Sequence, residues 1–256
     1  MTGAFRNAFP PLVTLVVVGG VWEVAVRALA VPAYLVPPPS AIFATLFAER
    51  ATLSSSMLTT GTGAVIGLGL SLVVGSLVGL VLSLSRTLER ALYPYAVFLQ
   101  TVPIVAIAPL IVLWFGPGLR AVSVSAFIVS VFPIIVSTLA GLRGVDSRLG
   151  DLFRLYDASL VATLAKLRLP SAVPSMVTGW RVAAGLSVIG AIVGEFVAGF
   201  SEGHAGLGII VLSAYRQLRT DLLFAAVILA ATLGLLLFFA ASVAGALLLR
   251  RLRMPG

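Results

Sequence analysis

The chain of 256 residues has no cysteine, one histidine (His204) and one lysine (Lys166). Without cysteine there is no disulfide framework, thiolate metal site or cysteine nucleophile. A single histidine cannot assemble a two-histidine zinc site, so no metal is expected. Charge is scarce as well: Asp, Glu, Lys and Arg make up 10% of the residues, against about 25% in an ordinary soluble domain. No G-x-x-x-x-G-K-[ST] loop is present, and Lys166 follows no glycine-rich turn, so the chain lacks that device for cradling nucleotide phosphates. Gly61-x-Gly63-x-x-x-Gly67 misses the dinucleotide fingerprint, and Gly185-Leu186-Ser187-Val188-Ile189-Gly190 is not a G-x-S-x-G nucleophile turn. No catalytic constellation and no cofactor of its own are expected.

What the chain has is apolar surface: 60% hydrophobic residues and a mean hydropathy of +1.14. That excludes disorder and indicates an all-α membrane protein, because helices satisfy their own backbone in lipid. The net charge of +8 would point to nucleic acid in a soluble chain. Here the basic residues sit in short connections between apolar runs, without interleaved aromatics, so no nucleic-acid partner is expected. Six runs approach the roughly 20 residues that cross a bilayer: 9–29, 59–84, 91–115, 119–140, 174–197 and 222–249. They form one permeating domain over 1–256. The first run is interrupted by Glu23 and Arg27, and is read as an uncleaved helix rather than a signal peptide. Positive charge concentrates on the face that holds both termini, which places both termini in the cytoplasm.

The connections are informative. Residues 30–58 form a proline-stiffened outer loop containing a short helix, with Ser40 as its expected cap. Residues 198–221 read as a polar outer connection. Residues 141–173 are too polar to span and too long for a turn. In the second span Gly63, Gly67, Ser71, Gly75 and Gly79 recur every fourth position, which lines one face for close helix packing or, in a second reading, for substrate.

Within 141–173, Asp157 is an expected N-cap, and Leu160, Leu164 and Leu167 fall at i, i+4 and i+7 as an apolar stripe. Pro170 and Pro174 are expected to end the segment. An apolar stripe on a cytoplasmic elbow suits docking into a partner's groove.

This loop resembles the E-A-A-x3-G-x9-I-x-L-P element of the membrane subunits of bacterial ABC importers. Asp151 stands at the Glu position, Leu152-Phe153 at the two alanines, Asp157 at the Gly position and Leu167 at the Ile position, before Leu169-Pro170. Pro37-Pro38-Pro39-Ser40-Ala41, the Pro103 to Gly116 segment, Pro170-Ser-Ala-Val-Pro174 and Gly206-Leu-Gly208 extend the likeness over nearly the whole chain. They resemble the nitrate, sulfonate and taurine permeases, to which pyrimidine-precursor and riboflavin permeases are similar. The resemblance implies a type I importer fold with a coupling helix, inserted into the ATPase by Asp151, Asp157, Ala158, Ser159, Leu160, Leu164, Leu167 and Pro170. It implies a dimer of permeases in the bacterial inner membrane, two cytoplasmic ABC ATPase subunits that bind the ATP, and an outer solute-binding protein. The missing nucleotide motif agrees, since the energy source must be another chain. An ion-coupled secondary transporter is the alternative, although no repeat between the halves supports it.

Polar groups inside the membrane need a reason. Glu23 and Arg27 are spaced to pair with each other. Gln100 and Arg181, each about 10 Å inside a span, are candidates for a cytoplasmic-side layer of the translocation path. The competing reading has Arg181 snorkelling to the interface and Gln100 satisfying a neighbouring backbone group. Ser187 either bonds its own helix or faces the path. Glu195 is either solvated at the outer interface or faces the outer gate. The solute is not readable from these residues.

Overall fold

The structure is a computed structural model that describes residues 2–198 and 205–251, with side chains from residue 9 onward except 11 and 12. His204 lies outside the described residues. The elements are α1 (Thr2–Ala28), α2 (Pro39–Ala48), α3 (Arg50–Leu84), α4 (Arg86–Thr101), α5 (Ile104–Phe115), α6 (Leu119–Arg143), α7 (Ser147–Leu155), α8 (Leu160–Thr163), a π-helical turn (Leu164–Arg168), α9 (Leu169–Ala198), α10 (Leu207–Arg216) and α11 (Thr220–Arg251). No strand occurs among the described residues.

Helices attract one another in lipid through close packing rather than water exclusion, and small residues make that packing possible. Helix α6 lies between α3 and α9 on this principle. Gly63, Gly67, Ser71, Gly75 and Gly79 of α3 are all buried, and the four glycines meet α6. A Cβ added at Gly67 would stand 2.6 Å from the Ser123 carbonyl oxygen and 2.8 Å from the Phe127 nitrogen. The Ser71 and Ser130 hydroxyls form a hydrogen-bonded pair at 2.7 Å. The stripe is therefore a packing face within the subunit. From α9, a Cβ at Gly190 would lie 2.7 Å from the Cα of Ala126, the residue that Gly67 also meets. Helix α11 packs on α9, and Val177 fills the space left by Gly245.

Four described helices are long and apolar enough to cross a membrane: α3, α6, the continuous Leu160–Ala198 rod and α11. The third apolar run differs from expectation. It is a pair, α4 and α5, bent by 95°. Pro103 lacks an N–H, and Val102 before it takes the extended conformation (φ −68, ψ 121) that a following proline favours, so the helix stops and restarts. The first run falls on α1, a 27-residue helix.

Two further expectations are corrected near the short helices. Ser40 does not cap α2 with its side chain, because the cap residue is Pro38. Instead the Glu23 carboxylate reaches over from α1 and accepts from the Ser40 N–H at 3.0 Å and the Ser40 hydroxyl at 2.8 Å. Arg27 Nε donates to the same carboxylate at 2.6 Å, as their spacing suggests. Residues 198–221 are not merely a polar connection. They contain α10, whose Leu207, Ile209, Ile210 and Ala214 are buried against α3, α9 and α11. Its apolar run of ten residues is too short to register as a span. Beyond α10, Arg219 lies 3.3 Å from Glu49 and 3.7 Å from Asp221, and Thr45 of α2 donates to Asp221 at 2.7 Å.

Among the described residues, three other than glycine have positive φ: Ala30 (48°), Asp157 (47°) and Leu218 (56°). Each follows a helix and closes it in the same way. The N–H after it bonds five residues back, as Val31 to Val26, Ala158 to Phe153 and Arg219 to Ala214. These are Schellman ends, with the C′ residue in the left-handed region.

The glycine contacts give a direct test. Gly67→Ala should destabilise the detergent-solubilised protein by about 1–3 kcal/mol, the usual cost of overpacking. Gly69→Ala, where a Cβ would meet nothing within 4 Å, should leave the thermal midpoint unchanged or slightly raised.

Candidate functional site

Two regions concentrate the polar and strained features of the chain: an elbow between α6 and α9, and a buried knot at the start of α10. The elbow begins where Gly144 caps α6 and Asp146 caps α7, accepting from the Arg148 N–H at 2.9 Å. Helix α7 ends in the Schellman turn at Asp157. The expectation that Asp157 caps the following helix is therefore corrected. The cap is Ser159, whose hydroxyl accepts from the Ala162 N–H at 3.2 Å. Asp157 closes the preceding helix, in a conformation that glycine adopts without strain and Asp tolerates better than most residues. That is a physical reason for a glycine at this position of the resembled motif. Ala158 supplies the N–H of the turn.

The stripe Leu160, Leu164, Leu167 does not lie on one exposed face. Leu160 is 68% exposed, Leu164 half-buried and Leu167 7% exposed. The π-turn explains the difference: the Leu169 N–H bonds to the Leu164 carbonyl, five residues back, and the wider turn shifts the helical phase so that Leu167 points inward. Nor do Pro170 and Pro174 end the segment. The wide turn before Pro170 accommodates its missing N–H, and the helix runs unbroken from Leu160 to Ala198. The apolar surface actually presented is Leu155, Tyr156, Leu160 and Val161, each at least 68% exposed. Leu149, Leu152 and Leu155 repeat every third residue, a signal that could have extended the sequence reading back into α7. Asp151 is exposed and forms a 3.3 Å surface pair with Arg154, an interaction worth little in water. Behind the elbow lies a cleft of about 720 Å³, walled by Leu84, Leu142, Asp151, Phe153 and Leu160. Arg143, paired with Glu89, joins the end of α6 to the start of α4 beside it.

The knot centres on Glu195, which is 3% exposed. Its carboxylate accepts from the Thr60 hydroxyl of α3 at 2.8 Å and from the Gly208 N–H of α10 at 2.7 Å. The Thr60 oxygen in turn accepts from the Leu207 N–H at 2.8 Å. Glu195 is thus neither solvated nor open to a gate, because α10 folds back over it. A Cβ at Gly206 would collide with the carboxylate, and one at Gly208 would stand 2.7 Å from the Ile192 carbonyl oxygen. The Gly206-Leu-Gly208 spacing is what lets the two free N–H groups of a helix start reach the clasp.

The remaining path candidates are not brought together. Ser187 is fully buried and donates to the Ala184 carbonyl of its own helix at 2.8 Å. Gln100 is exposed near the end of α4, and Arg181 is half-buried in α9 with its Nε unpartnered. No hydrogen bond joins these two.

Thr60→Val should lower the thermal midpoint of the purified protein strongly, since it removes the Glu195 donor and the Leu207 acceptor together, at about 1–3 kcal/mol for each buried group left unpaired. Thr60→Ser keeps the hydroxyl and should stay close to wild type. Equal midpoints for Thr60→Val and wild type would show that the knot carries no stability.

Comparison with known proteins bears on both regions. Residues 71–254 match the family model described as binding-protein-dependent transport system inner membrane component. A probable ABC transporter permease protein of Haemophilus influenzae is 34% identical over 90% of this chain and 92% of that protein. The formylaminopyrimidine transport permease ThiX of Halalkalibacterium halodurans is 34% identical over 91% and 92%. The riboflavin permease RibX of Chloroflexus aurantiacus is 32% identical over 93% and 88%. In fold, the chain is similar to the inward-facing MetNI methionine ABC transporter, with a TM-score of 0.67, 18% identity, and coverage of 80% of this chain and 97% of that one. The ion-coupled alternative has no support among these relatives, and the chain belongs to the binding-protein-dependent transport system inner membrane component family, as a multi-pass permease subunit of an ABC importer.

Proposed function

We propose that the elbow is the surface on which this permease receives its ATPase, and that the elbow and both termini face the cytoplasm. The observation that carries this is the exposed Leu155, Tyr156, Leu160 and Val161 surface on two short helices at one end of the bundle. Such apolar area in water is stabilised by a partner's groove, with Asp151 and Arg154 as a polar rim. The chain has no phosphate-binding loop, so the ATP is bound by two partner ATPase subunits and no cofactor is held here. A second copy of the permease completes the path, and a solute-binding protein delivers cargo on the opposite face. Gln100, exposed beside the break at Pro103, and Arg181, with an unpartnered guanidinium nitrogen, belong to the path in that assembly. Ser187 and Glu195 do not, because their polar atoms are already bound within the subunit. Leu167 and Pro170 act inside the rod rather than at the docking face.

Co-purification tests this reading. Leu160→Asp with Val161→Asp should release the ATPase while the permease still migrates as the wild-type species. Leu167→Ala, inside the rod, should lower stability without selectively releasing the ATPase. An ATPase that stays bound to the Asp variant at unchanged affinity would overturn the docking surface.

The cargo we assign is a planar nitrogen heterocycle of the pyrimidine or flavin type. Its support is that ThiX and RibX, related over nearly their whole lengths, are named for such solutes. A sulfonate permease, SsuC of Bacillus subtilis, is 30% identical over 78% of that protein. Proteoliposomes of the assembled transporter should accumulate a labelled aminopyrimidine or riboflavin in an ATP-dependent manner. Accumulation of an aliphatic sulfonate in their place would reassign the cargo.

A further inference from the structure

The π-turn and α9 together carry an apolar stripe that no described element covers. Ala165, Leu169, Val173, Met176 and Trp180 recur at helical spacing along one face, and with Leu248 of α11 as a side wall they line a groove of about 290 Å³. From Ala165 to Trp180 the groove runs about 20 Å along the helix, close to the length of one fatty-acyl chain. Its lining is almost wholly carbon, apart from the Trp180 indole. The Nε1 of Trp180 is buried without a hydrogen-bond acceptor.

The mouth of the groove is basic. Lys166 directly follows Ala165 and is exposed. Arg251 lies three residues past Leu248, hence on the same side of α11, and is also exposed. Neither forms an ion pair among the described residues, where the five ion pairs use Arg27, Arg143, Arg154 and Arg219. Both sit at the polar end of long apolar helices, the level at which phospholipid headgroups lie. An apolar channel of acyl length with two unpaired cations at its mouth matches one class of molecule in the surroundings of this chain.

We infer that the α9–α11 groove is a binding site for an anionic phospholipid, with one acyl chain along Leu169, Val173 and Met176 and the phosphate between Lys166 and Arg251. The site is independent of the docking and cargo readings, since it requires only that the chain lie in a bilayer. It gives the α9–α11 contact a lipid component beyond the Gly245–Val177 packing.

The test uses the full chain, delipidated in dodecyl maltoside, with dioleoyl phosphatidylglycerol and dioleoyl phosphatidylcholine as probes. Native mass spectrometry should show retained phosphatidylglycerol in preference to phosphatidylcholine, and phosphatidylglycerol should raise the thermal midpoint more than phosphatidylcholine does. Lys166→Gln with Arg251→Gln should weaken phosphatidylglycerol binding by about fivefold for each charge removed, leaving phosphatidylcholine unchanged. Val173→Trp, which fills the groove, should reduce retention of both lipids. The charge variant decides the matter if the Val173 variant does not fold. Inorganic phosphate alone should have no effect, and stabilisation by it equal to that by phosphatidylglycerol would make this a free-anion site and overturn the lipid assignment. Equal retention of the two lipids by wild type, or undiminished preference in the double variant, would also overturn it.

Discussion

The close approach of α6 to both of its neighbours is the constraint on which the rest of the structure depends. A helix in lipid gains nothing by hiding apolar side chains from water, so two spans hold together only where their surfaces fit. In this chain the fit is backbone against backbone. Glycines on α3 and α9 leave no room for even one methyl group, and α6 answers with Ala126, Ser125, Ser123 and Thr138. Once α6 is seated, α3 and α9 flank it and touch one another, and α10 and α11 pack on the surfaces of α9 and α3 that remain exposed.

A second class of interaction fixes the elements that packing alone would leave loose. The non-spanning helices α2 and α10 are too short to be held by a long seam. Each is tied by a carboxylate from elsewhere in the chain: Glu23 at the start of α2, Asp221 on Thr45 of α2, and Glu195 at the start of α10. Placing a carboxylate on the free N–H groups of a helix start satisfies both partners where water is scarce. The long helices are thus held by shape and the short ones by charge.

The sequence made the long elements legible because length and hydropathy are additive along a chain. What it hid was every feature set by a single residue's surroundings. The Pro103 break lies inside an unbroken apolar run, so composition passes over it. Helix α10 was invisible for the opposite reason, being apolar but only ten residues long. Ser40 and Asp157 both carry good capping side chains, but Ser40 is bound by a carboxylate from α1, and Asp157 closes the helix before it rather than opening the one after. The leucine stripe of the elbow was counted at 3.6 residues per turn, and the π-turn at Leu164–Arg168 takes Leu167 out of phase. Glu195 was correctly singled out as needing an explanation, but its partners lie 135 residues away and 13 residues away, on α3 and α10. Periodicity carries no information about such distances.

The unbroken helix from Leu160 to Ala198 joins the elbow to the Glu195 knot without a joint. At 1.5 Å per residue its 39 residues make a rod of about 58 Å. The seats at Ala172, Gly179, Gly190 and Gly194 clamp this rod to α6 along its outer part, up to the residue before Glu195, and leave only the elbow end unclamped. A push at the elbow therefore reaches the knot only by moving α6 and the rod together, as one rigid body.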